Sequence, residues 1–515
     1  MSVTSKADAT QNAVFAFLGR ASTHGGAKPR RCDTHAAAVF LAGNRALKIK
    51  RAVRFPFLDY STLERRKAAC AAELKVNQRF APQIYRRIVP ITRERDGSLA
   101  IGGHGEAVEW AVEMTRFDEN QTLDHIADRG AFDETLPGKL ANAVAAMHAQ
   151  AEPVEAPPWV AAVEDYIGQN TAAFRESDGM FPEKHVAALD QKSRATLVRL
   201  RPLLLARGQK GLIRRGHGDL HLGNIAVLDG APVAFDAIEF DPIIAAGDVL
   251  YDLAFLLMDL VERDLLSAAN AVLNGYFAAA RRTDDFEGIT ALPFFISLRA
   301  AIRAKVTIVR LSLTSGDERA DIIQSARRYF QLALEMLAPP RPMIVCTGGL
   351  SGTGKSVLAR GLAPFVGIPP GALVLRSDTE RKAMFGVRET ERLPPEAYSP
   401  EMSERLYELL TDYADRIARA GYAVVVDAVF AKPAERRAIE TAAGEAKAEF
   451  HGLFLTADLP TRVKRIGSRG PDASDADAAV ARMQEDFVIG EMTWKRVDAS
   501  GSLAETLVRA RALVG

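Results

Sequence analysis

The spacing of apolar residues changes period repeatedly along the chain, and each change marks an element. Val14, Phe15, Phe17 and Leu18 fit one short helix, followed by a Gly/Pro-rich connection through residue 30. Apolar runs at 38–42 and 45–50 flank Gly43-Asn44, which predicts a hairpin with Lys48 and Lys50 on one face of its second strand. Ser61-Thr-Leu-Glu64 reads as a capping box opening a helix that carries Leu63, Cys70 and Leu74 at helical spacing. A strand at 108–114 leads into Arg116-Phe-Asp-Glu-Asn, read as a hinge between two lobes, and 121–210 is mostly amphipathic helix with a loop at 152–158. A short apolar strand, Val233-Ala-Phe235, runs into Asp236, and a strongly apolar helix begins near Gly247. Helices then continue to Leu337.

Ala338-Pro-Pro-Arg-Pro342 breaks the pattern and predicts a linker. After it, strands at 343–347, 372–378 (ending on Asp378), 423–427, 450–455 and 496–498 alternate with helices. One helix is expected to turn Val357, Leu358 and Leu362 inward, and another, capped by Ser399-Pro400, carries Met402, Leu406, Leu409, Tyr413 and Ile417 along its seam. Such alternation predicts a doubly wound parallel sheet. The expected division is therefore 1–337 (lobes 35–115 and 116–337), a linker at 338–342, and 343–515.

Bulk numbers narrow this picture only slightly. The 515 residues are enough for roughly two to four domains. Sixty-six basic residues against 65 acidic ones give no field that would draw in nucleic acid or a membrane surface, so neither partner is expected. Cys32, Cys70 and Cys346 lack metal spacing and fit a reducing compartment. The N-terminus shows no signal-peptide core, and the best apolar run, 249–260, contains Asp252 and Asp259, so a cytoplasmic protein is expected.

Chemistry concentrates in two places. In His217-Gly-Asp-Leu-His-Leu-Gly-Asn224, Asp219 precedes Asn224 by five residues. That spacing suits phosphoryl transfer: the carboxylate orients an acceptor hydroxyl, and the amide oxygen together with Asp236 holds magnesium. Lys48 or Lys50 is read as the phosphate lysine, and Glu73 as its partner because Glu64 is engaged in the capping box; solvated lysines and a surface charge pattern are the bland readings. Asp252 sits among apolar neighbours and is expected to brace the loop backbone. His217 is read as bonding loop backbone and His221 as lying near the acceptor, since Gly218 and Gly223 argue against a helical zinc pair.

The second place is Gly349-Leu-Ser-Gly-Thr-Gly354-Lys355-Ser356, a complete G-x-x-x-x-G-K-S loop between strand and helix. Backbone amides of Gly349, Ser351, Gly352, Thr353, Gly354 and Val357 are expected to curl around phosphates, with Lys355 on the terminal phosphates and Ser356 on magnesium. Asp427 ends a buried strand, the position of a second magnesium carboxylate. Asp378 is read as orienting the acceptor, against a capping box formed by Ser377 and Glu380. Arg381 is read as an anion-binding group or a surface residue. Arg465 and Arg469, four apart, are read as lid cations or a solvated face.

Three stretches, His217 to Asn224, Phe235-Asp236 and Tyr251-Asp252-Leu-Ala254, resemble the signature of the aminoglycoside phosphotransferase-like (choline kinase-like) fold, over residues 35–335. The resemblance implies an α+β protein-kinase-like domain with Asp219 as catalytic aspartate, Asn224 and Asp236 on magnesium, and Lys48 or Lys50 paired with Glu73. It also shows a departure, because Thr34-His-Ala-Ala37 stands where a Gly-x-Gly-x-x-Gly loop belongs, which leaves backbone or hydroxyl groups for phosphate contacts there. Residues 343–513 are similar to small-molecule P-loop kinases of the gluconate kinase, chloramphenicol phosphotransferase and zeta-toxin type, an α/β P-loop NTPase fold. By that likeness Lys355, Ser356, Asp378, Asp427, Arg465 and Arg469 occupy phosphate, acceptor, metal and lid positions. The tandem resembles bacterial proteins described as fused aminoglycoside phosphotransferase-like and ATP-binding (AAA family ATPase) proteins. These likenesses imply two ATP and Mg²⁺ sites acting on hydroxyls of small polar metabolites. The alternatives are an N-terminal ligand-sensing pseudokinase controlling the P-loop half, an ATP-driven mechanical module, and a macromolecular target. A fold name alone does not imply antibiotic resistance.

Overall fold

Strand alternation decides what the first sheet does with its lysines. Along Arg45–Lys50, Leu47 and Ile49 enter an apolar cluster with Val14, Phe15 and Leu18 of helix Lys6–Leu18. Ala46 falls on the opposite face with Cys70 of helix Leu63–Asn77, and Lys48 and Lys50 share its parity. The lysines therefore point toward the helix that carries Glu73.

The computed structural model describes residues 6–514 apart from 35, 56–57, 310, 312–317 and 469–471. Two compact units emerge, Met1–Val163 with Leu204–Leu256, and Glu164–Leu203 with Leu257–Gly515. In the first, six described strands form an antiparallel sheet in the order Arg30–Asp33, Ala37–Ala42, Arg45–Lys50, Glu106–Thr115, Tyr85–Arg93, Leu99–Ile101. The hairpin expected around Gly43-Asn44 is present, pairing Ala42 with Arg45. Beyond the helices, Ile225–Leu228 and Ala231–Ala234 form a second hairpin that runs from Asn224 to the approach of Asp236.

The capping box at Ser61 does not form. Thr62 is the N-cap, its hydroxyl accepting from Arg65 N, while Ser61 is held by Asp59 at 2.6 Å. The Asp59 carboxylate offers Ser61 a shorter, charge-assisted bond, and the helix starts one residue later.

In the second unit the strands Leu373–Arg376, Val424–Asp427, Met343–Gly349, Glu449–Thr456 and Lys495–Asp498 lie side by side in that order, all parallel. Val345, Val425, Leu453, Leu455 and Val497 pack under helices Lys355–Leu362 and Leu503–Val514. The alternate residues Ile344, Val424 and Val426 are equally buried on the other face, as a doubly wound sheet requires. Residues 338–342 carry no helix or strand, yet the packing boundary falls elsewhere. Helix Leu266–Ala280 lays two asparagines on the edge strand: Asn274 accepts from Val374 N at 2.7 Å, and Asn270 donates to Ala372 O at 2.9 Å. These side chains satisfy backbone groups that an edge strand leaves open to foreign pairing. Among the described residues, no helix is long and apolar enough to cross a membrane.

Candidate active sites

Glu73 anchors the first site. It is fully buried, 2.8 Å from Lys48 and 2.6 Å from Lys50. Burial alone would raise its pKa; the two ammonium groups overcome that and hold it below the ordinary carboxylate range. Lys48 also donates to Asp236 Oδ1 at 2.5 Å, and Asp236 and Glu73 keep its pKa raised against the effect of burial. Lys50 bridges Glu73 to Glu239, beside the Tyr60 hydroxyl, and among the described residues is not paired with Asp236. The two lysines are thus distinguished: Lys48 touches the predicted metal carboxylate, and Lys50 is locked into a buried network. Asn77, one turn beyond Glu73, secures the same loop, accepting from Ala237 N at 2.8 Å and donating to Ala237 O at 3.2 Å.

Asp219 and Asn224 come together as the spacing predicts. Asn224 Nδ2 donates to Asp219 Oδ2 and to Asp219 O, both at 3.0 Å. A carboxylate only accepts, so the amide nitrogen faces Asp219 and the amide oxygen is directed away from it. His221 Nε2 lies 3.5 Å from Asp219 Oδ2, and its Nδ1 accepts from Gly223 N. Asp219 and Asp236 remain 39% and 44% exposed, so both are open to a ligand. Thr34 serves its own turn, its hydroxyl accepting from Ala37 N at 2.9 Å, and His35 lies outside the described residues.

Asp252 braces the loop as expected. Its two carboxylate oxygens accept from His217 N and Gly218 N, both at 2.9 Å, and His148 Nε2 lies 3.1 Å away. Gly216 leaves room for it, since a Cβ there would stand 2.6 Å from Asp252 Oδ2. Asp252→Ala would strand two buried amides, and a loss of about 2–5 kcal/mol is expected in urea unfolding.

His217 gives the first unit a pH dependence. Its Nε2 donates to Phe235 O at 2.9 Å, and buried Nδ1 has no hydrogen-bond partner among the described residues. Burial depresses the ring's pKa below the ordinary 6.5, outweighing nearby Asp252, Asp219 and Asp236. The unfolded chain therefore binds the proton first, so stability is expected to fall as pH drops below 6.5 toward the folded-state pKa. Melting curves between pH 7.5 and 5 check this, and His217→Gln should flatten that part of the profile.

At the second site, Met343–Gly349 feeds the glycine loop into helix Lys355–Leu362, as predicted. The amides of Gly349, Ser351, Thr353 and Val357, expected on phosphates, donate instead to Val429 O, Gln484 Oε1, Leu350 O and Gly354 O. Gly352 adopts a left-handed φ of 86°, and a Cβ there would meet Arg462 O at 2.6 Å. Lys355 Nζ donates to Leu350 O at 3.2 Å, and Thr353 Oγ1 to the same carbonyl at 2.8 Å. Burial lowers the Lys355 pKa while Asp427 and Asp378 oppose it. Burial raises that of Asp427, countered by Lys355, Arg376 and a hydrogen bond from Ser356. Lys355, Ser356, Asp378 and Asp427 therefore share one cavity of about 1340 Å³, which Ser351, Gly352, Gly354, Val357 and Arg465 also line.

Three expectations change here. Val357 is 42% exposed toward the cavity instead of buried, because one helical step separates it from inward-facing Leu358. The strand read through Asp378 stops at Arg376, so Asp378 lies in the first turn of helix Ser377–Met384 instead of ending a strand; Arg376 is the N-cap, and the alternative capping box at Ser377 is absent. Arg465 is tied to backbone, 2.9 Å from Gly501 O and 3.4 Å from Thr353 O, and its helix ends at Gly467. Arg469 lies outside the described residues.

Arg376 does not stand out in the sequence, yet it joins three carboxylates that line the cavity. It binds Asp472 at 2.5 and 2.9 Å and lies 3.5 Å from Asp427 and 3.8 Å from Asp378. The available signal is a cation ending a strand just before Ser377-Asp378. Arg381 donates to Ala397 O and lies 4.9 Å over the Tyr398 ring.

Among the described residues, no three His, Cys, Asp or Glu side chains converge as a metal cage. The oxygen donors present, Asn224 and Asp236 in one unit and Ser356 hydrogen-bonded to Asp427 in the other, are of the type Mg²⁺ takes, which needs few protein ligands and completes its shell with phosphate and water.

Over 481 residues the chain is 31% identical to Uncharacterized protein Rv2004c of Mycobacterium tuberculosis and to Uncharacterized protein Mb2027c of Mycobacterium bovis, spanning 91% of this chain and 92% of each relative. The chain belongs to their family. In this chain, residues 40–286 match the Phosphotransferase enzyme family and 344–488 match an AAA domain. Its N-terminal part is a kinase-like phosphotransferase domain and its C-terminal part a P-loop kinase fold. Among solved structures it is similar to a gluconokinase from Sinorhizobium meliloti (18% identity, 34% of this chain and 92% of that one, TM-score 0.26). It is also similar to a choline/ethanolamine kinase family protein from Mesorhizobium loti (13%, 64% and 99%, TM-score 0.34).

Proposed function

We propose that the chain is a bifunctional cytoplasmic phosphotransferase, each half moving the γ-phosphate of ATP to a hydroxyl of a small polar metabolite. The observation that carries this reading is the intact N-terminal set: Lys48 bound to both Glu73 and Asp236, with Asp219 held by Asn224. A domain kept only for sensing has no need of all five groups in working relation.

At the first site Asp219 aims the acceptor hydroxyl and receives its proton late, while Lys48 exchanges Asp236 for phosphate oxygens. At the second, Lys355 and the loop amides other than those of Gly349, Ser351 and Thr353, which protein acceptors engage, hold the triphosphate, and Asp378 orients the acceptor. Asn224 with Asp236 and Ser356 with Asp427 would hold magnesium, which would supply neutralisation of the phosphate charge. Three free cysteines and near-neutral charge support a reducing compartment and small-molecule partners, with neither nucleic acid nor membrane.

Calorimetry with Mg²⁺ and a non-hydrolysable ATP analogue tests the reading. Two nucleotides per chain are expected, one lost in Lys355→Met; a single nucleotide at saturation would sink it. Retained transfer in Asp219→Asn would favour a sensing N-terminal half.

A further inference from the structure

We propose that Gln484 and Arg462 are positioning residues for the phosphate loop, gripping Ser351 through its N–H and its C=O and fixing the loop before nucleotide arrives. The inference rests on reading the P-loop as a nucleotide site.

The grip is two-sided. Ser351 N donates to Gln484 Oε1 at 2.7 Å, and Arg462 Nε donates to Ser351 O at 2.9 Å. Both side chains are buried, Gln484 at 6% and Arg462 at 1% exposure, so neither has freedom to swing. Arg462 also donates to Ala481 O at 2.9 Å and pairs with Glu485. Its guanidinium is thus committed behind the loop, which separates it from a lid cation that reaches for phosphate. The backbone at Arg462 completes the support, lying where any side chain at position 352 would collide.

A loop with glycines at 349, 352 and 354 has many backbone states. A loop left loose would have to be ordered at the expense of binding energy, so holding it in advance raises phosphate affinity. The supports come from helix Leu459–Gly467 and the turn Gln484–Asp486, segments the glycine motif does not include.

The test is calorimetry on the full chain with AMP-PNP and Mg²⁺, plus competition by adenosine. Gln484→Met keeps side-chain bulk and removes the acceptor. Its dissociation constant at the Lys355-dependent site is expected to rise about tenfold, the scale of one hydrogen bond. Affinity at the other site and for adenosine should hold, because only phosphate contacts are loosened. Arg462→Met is expected to be at least as severe; if it fails to fold, Gln484→Met decides alone. An unchanged dissociation constant in Gln484→Met overturns the proposal, as does an equal loss for AMP-PNP and adenosine, which signals general damage. Wild type without any Lys355-dependent binding overturns both the proposal and the site reading beneath it, a failure distinguishable from the others.

Discussion

Asp219→Asn is expected to slow phosphate transfer at the N-terminal site by roughly 10²–10⁴ while leaving the fold intact. The substitution keeps the size of the side chain but removes the charge that orients a hydroxyl and accepts its proton. Asn224 also binds the Asp219 carbonyl at 3.0 Å, and the loop backbone is fixed by Asp252 through His217 and Gly218. A thermal midpoint close to wild type, with transfer from labelled ATP to metabolites of a cell extract lost for one product only, is the expected pattern. Loss of both products would mean that the two sites do not work separately. No loss would remove Asp219 from the reaction.

How much of the site is legible in the sequence depends on whether the chemistry is local. The glycine loop and the Asp219–Asn224 spacing are contiguous, and both form between the elements read for them, although protein acceptors engage the Gly349, Ser351 and Thr353 amides. Asp252 is also legible, because a carboxylate among Tyr251, Leu253, Ala254 and Phe255 must find donors, and backbone amides are the nearest supply. Glu73 stands out in the structure for a different reason from the one its sequence suggests: the capping box assigned to Glu64 is absent, and burial against two lysines is what sets Glu73 apart. Choosing Lys48 over Lys50 is beyond the sequence, since both face the same way and only the position of Asp236, distant in the chain, distinguishes them. Strand Arg30–Asp33 escapes sequence reading because its burial is slight and its pattern too polar to register. Arg376 and Arg462 escape it for the opposite reason: a buried arginine looks like any surface arginine until its carbonyl and carboxylate partners are assembled from elsewhere. Spacing favours Arg465, which the fold ties to backbone.

Lys355→Met should cost the C-terminal site roughly 10²–10³ in rate, and more in affinity for the triphosphate than for adenosine. Burial sets the size of this effect. Lys355 is the cation that the cavity keeps beside Asp427 and Asp378, and burial already lowers its pKa, so its charge is under strain until a stronger anion arrives. A triphosphate is that anion. Because Lys355 is partly buried, its gain on meeting phosphate oxygens exceeds that of a surface lysine. The ammonium rests meanwhile on Leu350 O, a neutral partner it can leave at low cost. Methionine matches the reach of the stem and packs the same space, so the loop and its helix should persist and the loss should be electrostatic. Asp427 supplies the internal check: without Lys355 its carboxyl loses a stabilising cation, and its pKa should climb further above the ordinary value. Activity remaining in Lys355→Met should then vanish at a higher pH on the acid side than in wild type. A residual activity with an unshifted acid limb would show that Lys355 and Asp427 do not share the site.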